Sequence, residues 1–347
     1  MKTITGIKKK IRLRAKNMDS IVRLRSIGLL ADSYIHDAAR YARASGTLAH
    51  ASTGSLEANI VMDYHRVEKG LTLPHPRPWF GQLTIERLVQ NCEIYVNRPD
   101  RDTSVMSAAL GALESYREYF ASLSESPLWW AALTAKMTDL RSANGSVLAL
   151  TGGTEAVGMQ FDSASAHHQR SFAQLAMERS SVRNFSERMI DDVDLTRAVA
   201  VAQTSPSVCN RQAARVRSVP RGAAANRILS LQNGNSGFGQ TASRILIVTC
   251  DLNAFLTAGE RNQAYIDGGL FAMTLIYALE EIGIASCCLN WSTVSSQDGK
   301  LRSAARIHDS EVVIMLVAIG YPSPHAVVTK SPKLPVRRVL IEAEVTN

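Results

Sequence analysis

Once along this chain, near residue 150, the apolar residues change their period, and that change divides the fold into two differently built parts. Before it, Ile21, Leu24, Ile27, Leu30 and Tyr34 recur every three to four positions, the spacing of one buried helix face. Met106 to Leu123 and Trp129 to Leu140 follow the same pattern, so residues 18–150 are expected to be mainly helical. After the change, β-branched runs alternate with helical stretches. Helices are predicted over Ala173–Arg179 and over Asp192–Gln203, with Asp191 near the N-cap. Strands are predicted over Val216–Val219, Arg244–Cys250, Ala285–Leu289 and Glu311–Ile319, with Arg244–Cys250 apolar enough to be covered on both faces. Gln263–Ile282 is apolar almost all round and is expected to be a central, buried helix. Strands alternating with helices point to an α+β or α/β layered domain.

The 347 residues are enough for two cores. A Gly-, Ser-, Ala- and Thr-rich stretch over 143–169 is the natural boundary. The expected organisation is therefore a basic arm over residues 1–26, a helical region over 27–150, a linker over 151–169 and a layered domain over 170–347. Within the helical region, Asp63 to Gly81 stands apart. Its three prolines and two glycines predict an ordered irregular loop, one that carries His65, Glu68, Lys69, Arg77, Trp79 and Phe80.

Charge narrows the partners. The net +8 is matched by the first 26 residues alone, where nine lysines and arginines face only Asp19. The rest of the chain is near neutral. Ile4, Ile7, Ile11 and Leu13 interleave with these cations, so the arm reads either as a solvated terminus or as a basic amphipathic helix on an anionic membrane surface. Nucleic acid is not an expected partner, because no stacking aromatics accompany the charge. No apolar run reaches the roughly 20 residues of a membrane-spanning helix. Five cysteines without C-x-x-C spacing argue against a disulfide framework or a zinc site and fit a cytoplasmic protein.

Several chemistries lack their motif. No G-x-G-x-x-G follows a strand, and no P-loop, G-x-S-x-G elbow or H-E-x-x-H occurs. His65 and Glu68 have no evident third ligand, so no metal is expected. Packing is favoured over redox chemistry for the vicinal Cys287–Cys288 pair. What remains is Arg179-Ser180-Ser181-Val182-Arg183-Asn184-Phe185, with two guanidiniums and two hydroxyls in five positions. Such a set suits a phosphate and a polyol tail, although a helix end whose arginines offset the dipole would read the same way. About twenty residues on comes a tight polar loop, Ser205-Pro206-Ser207-Val208-Cys209-Asn210-Arg211-Gln212.

Together with Cys287-Cys288-Leu289-Asn290-Trp291 after the apolar helix, Ile319-Gly320-Tyr321-Pro322, and Lys330 to Pro335, these segments resemble the nitroreductase family. The resemblance implies a three-layer α+β domain with a mostly antiparallel central sheet, and FMN held at a homodimer interface. Carried over residue by residue, Arg179, Ser180, Ser181 and Arg183 would hold phosphate and ribityl, and Lys330 and Lys333 would add phosphate charge. Pro206, Ser207, Asn210 and Gln212 would reach the flavin from the partner subunit. Asn235 would touch the pyrimidine edge, and Asn290 and Trp291 would lie near N5. Ser180 stands where the family often has arginine, and Ala213-Ala214 replaces its proline and tryptophan.

The N-terminal motif H-x-x-E-K-G with P-x-W-F-G resembles a subgroup associated with surface-polysaccharide gene clusters. His65, Glu68, Lys69 and Arg77 are candidates for roofing the flavin and supplying substrate contacts or a proton there, or for a salt-bridged pin between the halves, and the pin is favoured. The expected activity is reduction of an organic acceptor by NAD(P)H through FMN. Alternatives are an FMN-dependent dehydrogenase or oxidase of a bound metabolite or sugar intermediate, and a flavin-bearing scaffold in glycan assembly.

Overall fold

A computed structural model describes residues 22–35, 37–39, 53–122, 125–145, 149–157 and 170–345. Most of the basic arm, with its membrane-surface reading, and residues 158–169 of the expected linker lie outside the described residues. Residues 22–35 and 37–39 are helical, but Leu24, Ile27, Leu30 and Tyr34 are exposed, contrary to the buried face expected. Periodicity identifies an apolar stripe without saying what covers it, and nothing among the described residues does.

The helical half proper consists of α1 (Thr53–Leu71), α2 (Gln82–Tyr95), α3 (Thr103–Ala121) and α4 (Leu128–Ala143). Its core runs from Ile60 on α1 through Leu88 and Tyr95 on α2 to Leu113, Tyr116 and Phe120 on α3, and closes on Trp130 and Leu140 of α4. Fully burying each such side chain contributes about 1.5–3 kcal/mol. The irregular segment after α1 packs Trp79 and Phe80 against Tyr116 and Phe120, and the Tyr116 hydroxyl donates to the Phe80 carbonyl at 2.7 Å.

The loop predicted from Asp63 begins later than expected. Asp63 to Leu71 is helical, because the breakers Pro74, Pro76 and Pro78 all lie beyond it and Gly70 alone does not end a helix. Gly70 is needed for another reason: a Cβ there would lie 2.1 Å from the Phe80 ring.

The second half is an antiparallel sheet between two helical layers, so the α+β alternative is the one realised. Its strands are β2 (Ala214–Pro220), β3 (Arg244–Asp251), β4 (Ala285–Asn290) and β5 (Glu311–Gly320), in the order β2-β3-β5-β4. Strand alternation sends Ile245 and Ile247 to one face and Leu246 and Val248 to the other. The first face is covered by Ile228 and Leu229 of a short helix (Ala223–Leu229) and Leu301 of another (Ser295–Ala305), neither anticipated from the sequence. The opposite face is covered by α7 (Gln263–Glu281), counted after the helices Phe172–Glu178 and Asp192–Ala202 with the short helix Ala223–Leu229 left unnumbered, through Phe271, Leu275 and Leu279. The all-round burial expected of α7 is half met, since Tyr265, Ile266, Leu270 and Met273 are exposed.

Among the described residues, several contacts join the halves. The stretch expected as linker starts with ordered backbone: Gly152 lies against α3, and β1 (Thr154–Ala156) pairs with β6 (Val327–Thr329). Glu68 of α1, fully buried, accepts the Gly153 amide at 2.9 Å. Near the C-terminus, Arg338 pairs with Glu57 at 2.8 Å and with Asp102 at 3.3 Å.

Candidate functional site

Residues 179–185 run along the free edge of β4 as one more extended segment. The Val182 amide donates to the Ser286 carbonyl at 3.0 Å, and the Ser186 amide donates to the Tyr321 carbonyl at 2.8 Å. Val182 and Phe185, three residues apart, enter the core, while Arg183 between them turns to a different surface. There it lines a cavity of about 420 Å³ shared with Gln232, Cys288, Asn290 and Trp291, and with His65 and Lys69 of α1. Arg183 is only 4% exposed, and its Nε is buried without a hydrogen-bond partner. Its Nη1 makes one long contact of 3.4 Å, to the Ser181 carbonyl. A buried guanidinium left this incomplete is a costly arrangement unless a ligand completes it.

The floor of the cavity is held from below. Gln232 donates to the Asn290 carbonyl at 3.0 Å and accepts the Gly234 amide at 2.6 Å, and the Trp291 indole donates to Asp298 at 2.8 Å. Burial pushes the Cys287 thiol pKa up, while Arg183, Lys69 and Arg179, in that order, pull it down, so three cations converge on this strand. Cys288 is exposed, so the packing role expected of the pair holds for Cys287 alone.

The expected site residues do not all meet. Arg183, Asn290 and Trp291 share the cavity with His65. Arg179 caps the preceding helix, so the helix-end reading is also true of it, and Ser180 lines a neighbouring cavity of about 320 Å³ with Val182 and Glu280. Pro206, Ser207 and Gln212 line a third, of about 190 Å³, with Asp267. In their loop the Ser207 hydroxyl accepts the Gln212 amide at 3.0 Å, and Cys209, Asn210 and Gln212 all carry left-handed φ of 48° to 54°. Asn235, expected at a flavin edge, is buried with its amide engaged by the Leu229 carbonyl at 2.8 Å and by the carbonyl of Gln232, so it holds its own loop.

Lys330 is exposed, and its backbone donates to the Gly153 carbonyl at 3.0 Å. Lys333 donates to the Ser331 carbonyl at 3.1 Å, and neither lysine lines the Arg183 cavity. Glu68 is the inter-half pin, Arg77 is exposed, and His65 contacts Glu68 at 3.3 Å while facing the cavity. Gln232 had no signal in the sequence, whereas Lys69, a candidate together with His65, lies four residues after it on the same helix face and lines the same cavity.

Glu280, beside Ser180, is 2% exposed, with one carboxylate oxygen unpartnered. Burial pushes its pKa from 4.5 up to about 7, against the pull of Arg170 and Arg179. An acid raised in this way weakens the fold as pH rises: below 4.5 it is protonated folded or unfolded, and above about 7 the fold must carry a buried charge. Glu280→Gln is therefore expected to leave stability unchanged at pH 4 and to raise it by about 3 kcal/mol at pH 8. Urea melts at the two pH values check this, and equal shifts at both would refute it.

No family model and no curated protein matches the chain. Solved structures do. A nitroreductase family protein from Clostridium difficile 630 is 19% identical, with a TM-score of 0.42 over 51% of this chain and 100% of its own. One from Clostridium novyi NT is 16% identical, with a TM-score of 0.41 over 45% and 87%. An FMN-dependent nitroreductase from Clostridium difficile R20291 is 16% identical, with a TM-score of 0.39 over 44% and 89%. Among the described residues no helix is long and apolar enough to cross a membrane.

Proposed function

We propose that the chain is an FMN-dependent oxidoreductase that takes electrons from NADH or NADPH and passes them to an organic acceptor such as a quinone or nitro compound. The observation that carries this is the meeting of Arg183, Asn290 and Trp291 in one cavity around a buried guanidinium with an unpaired Nε. These residues come from two separate segments that resemble flavin-binding pieces, and their donor set suits an anionic, amide-edged ligand. FMN, when bound, supplies reversible two-electron transfer. The chain's part is to hold and polarise it: Arg183 places a fixed cation, and Gln232 fixes the Asn290 backbone.

The reading includes a homodimer in the cytoplasm. Ser207, Asn210 and Gln212 belong to a loop at a cavity that Arg183 does not line, so within one chain they do not complete the Arg183 site. A second copy docked on the exposed α7 residues Tyr265, Ile266, Leu270 and Met273 would bury that apolar surface and could supply the loop. The purified protein is expected to be yellow or to take up added FMN. Anaerobic NADH or NADPH is then expected to bleach the flavin band, and a quinone to restore it. A protein that binds no FMN ends the proposal. Bound FMN that neither nicotinamide bleaches would favour the metabolite dehydrogenase instead.

A further inference from the structure

We infer that α1 completes the Arg183 cavity as a receptor for a phosphate dianion, with Lys69 and Arg183 as its paired cations and Arg66 beside them. All three line the cavity, with His65 one helical turn from Lys69. No carboxylate shares that lining. The acids nearest in sequence on α1 are engaged elsewhere: Asp63 is fully buried and held by Arg87 at 2.7 Å and by Arg66 at 3.1 Å, and Glu68 holds the Gly153 amide. Arg66 is thus partly neutralised, while Lys69 has no ion-pair partner among the described residues and Arg183 has an unpaired Nε.

Two cations facing one cavity repel each other. Burial, and then Arg183, push the Lys69 pKa down. A dianion between them relieves that repulsion and gives each nitrogen a charged acceptor. Gln232, Ser292 and Thr293, from the opposite wall, add polar groups suited to phosphate oxygens. The C-terminal lysines expected to supply a second phosphate cation do not line the cavity, whereas Lys69 does. Its helix is fixed to the sheet half by the Glu68–Gly153 bond and the Arg338–Glu57 pair, so the cation is held in place.

Two sources share this chemistry, the phosphate of FMN itself and that of a separate phosphorylated compound. The inference deepens the flavin proposal in the first case and is independent of it in the second. The test titrates full-length protein, freed of any flavin, with FMN, riboflavin and inorganic phosphate by calorimetry. Lys69→Met and Lys69→Arg are compared with the parent, and circular dichroism confirms that each folds. Lys69→Gln is the substitute should Lys69→Met not fold.

If the phosphate is that of FMN, Lys69→Met weakens FMN at least tenfold, leaves riboflavin unchanged, and Lys69→Arg restores most of the loss. If it belongs to another compound, FMN and riboflavin bind alike and FMN-loaded protein still binds inorganic phosphate in a Lys69-dependent way. Lys69-dependent phosphate binding with no flavin binding would sink the flavin proposal and keep this one. FMN and phosphate binding both indifferent to Lys69→Met would overturn this inference, and any FMN bound would leave the flavin proposal standing. No binding of any of the three would end both.

Discussion

Replacing Arg183 with methionine is expected to weaken FMN binding by about 100-fold or more while leaving the ligand-free protein as stable as before, or more stable. The affinity loss follows from removing the one cavity-lining cation that is almost wholly desolvated, and a hydrogen-bonded charge in that position is worth a few kcal/mol. The stability gain follows from the same burial. Without ligand, the fold carries a guanidinium with an orphaned Nε and one long bond, and an apolar side chain of similar length removes that cost. Flavin fluorescence quenching measures the first effect and urea melts of ligand-free protein the second. Affinity that survives the substitution would show that the flavin, if bound, lies elsewhere. Affinity and stability lost together would mark Arg183 as a structural residue.

Gly152→Ala is expected to cost about 3 kcal/mol, which for a domain of this size lowers the melting temperature by roughly 6–12 °C. A Cβ at that position would lie 2.0 Å from the Ala108 carbonyl oxygen and 3.0 Å from the Ala112 amide nitrogen, both helix backbone that cannot move without unpacking α3. Gly299→Ala is the control. On the helix Ser295–Ala305 it meets nothing within 4 Å, so the same change should stabilise by roughly 0.5–1 kcal/mol through helix propensity alone. Calorimetric melts of the pair measure both. Similar shifts for both would mean that the close approach of residue 152 to α3 is not real.

The β-branched runs made the sheet half readable. Arg244–Asp251 and Glu311–Gly320 could be placed within a residue or so, because strands buried on both faces write a continuous apolar signal. Short elements with few buried residues left none. Ala223–Leu229 is small and mixed, and β1 and β6 are each three residues long and defined only by pairing across the chain.

At the site, Arg183, Asn290 and Trp291 were legible because each sits in a segment with a recognisable pattern. Lys69 is legible as a candidate beside His65, but the proline-rich composition of residues 74–78 hides that both lie on one helix. Asn235 turns its amide to the Leu229 and Gln232 carbonyls, a direction that a Gly-rich loop does not reveal in sequence. Separation of the Ser207 loop from Arg183 could not be read from one strand of sequence at all, since it depends on where β2 and α7 carry that loop.

The pairing of Thr154 with Thr329 also bears on how the protein is made. The helical half has a core drawn from its own residues and can collapse as soon as it leaves the ribosome. The strand that fastens it to the sheet is synthesised about 175 residues later, roughly ten to thirty seconds at usual elongation rates. Arg338, which fastens it a second time, emerges later still. During that interval Lys69 and Arg183 have no fixed relation to each other. A nascent chain should therefore acquire its ligand only after Arg338 is made, and ligand uptake during translation would report synthesis through that residue.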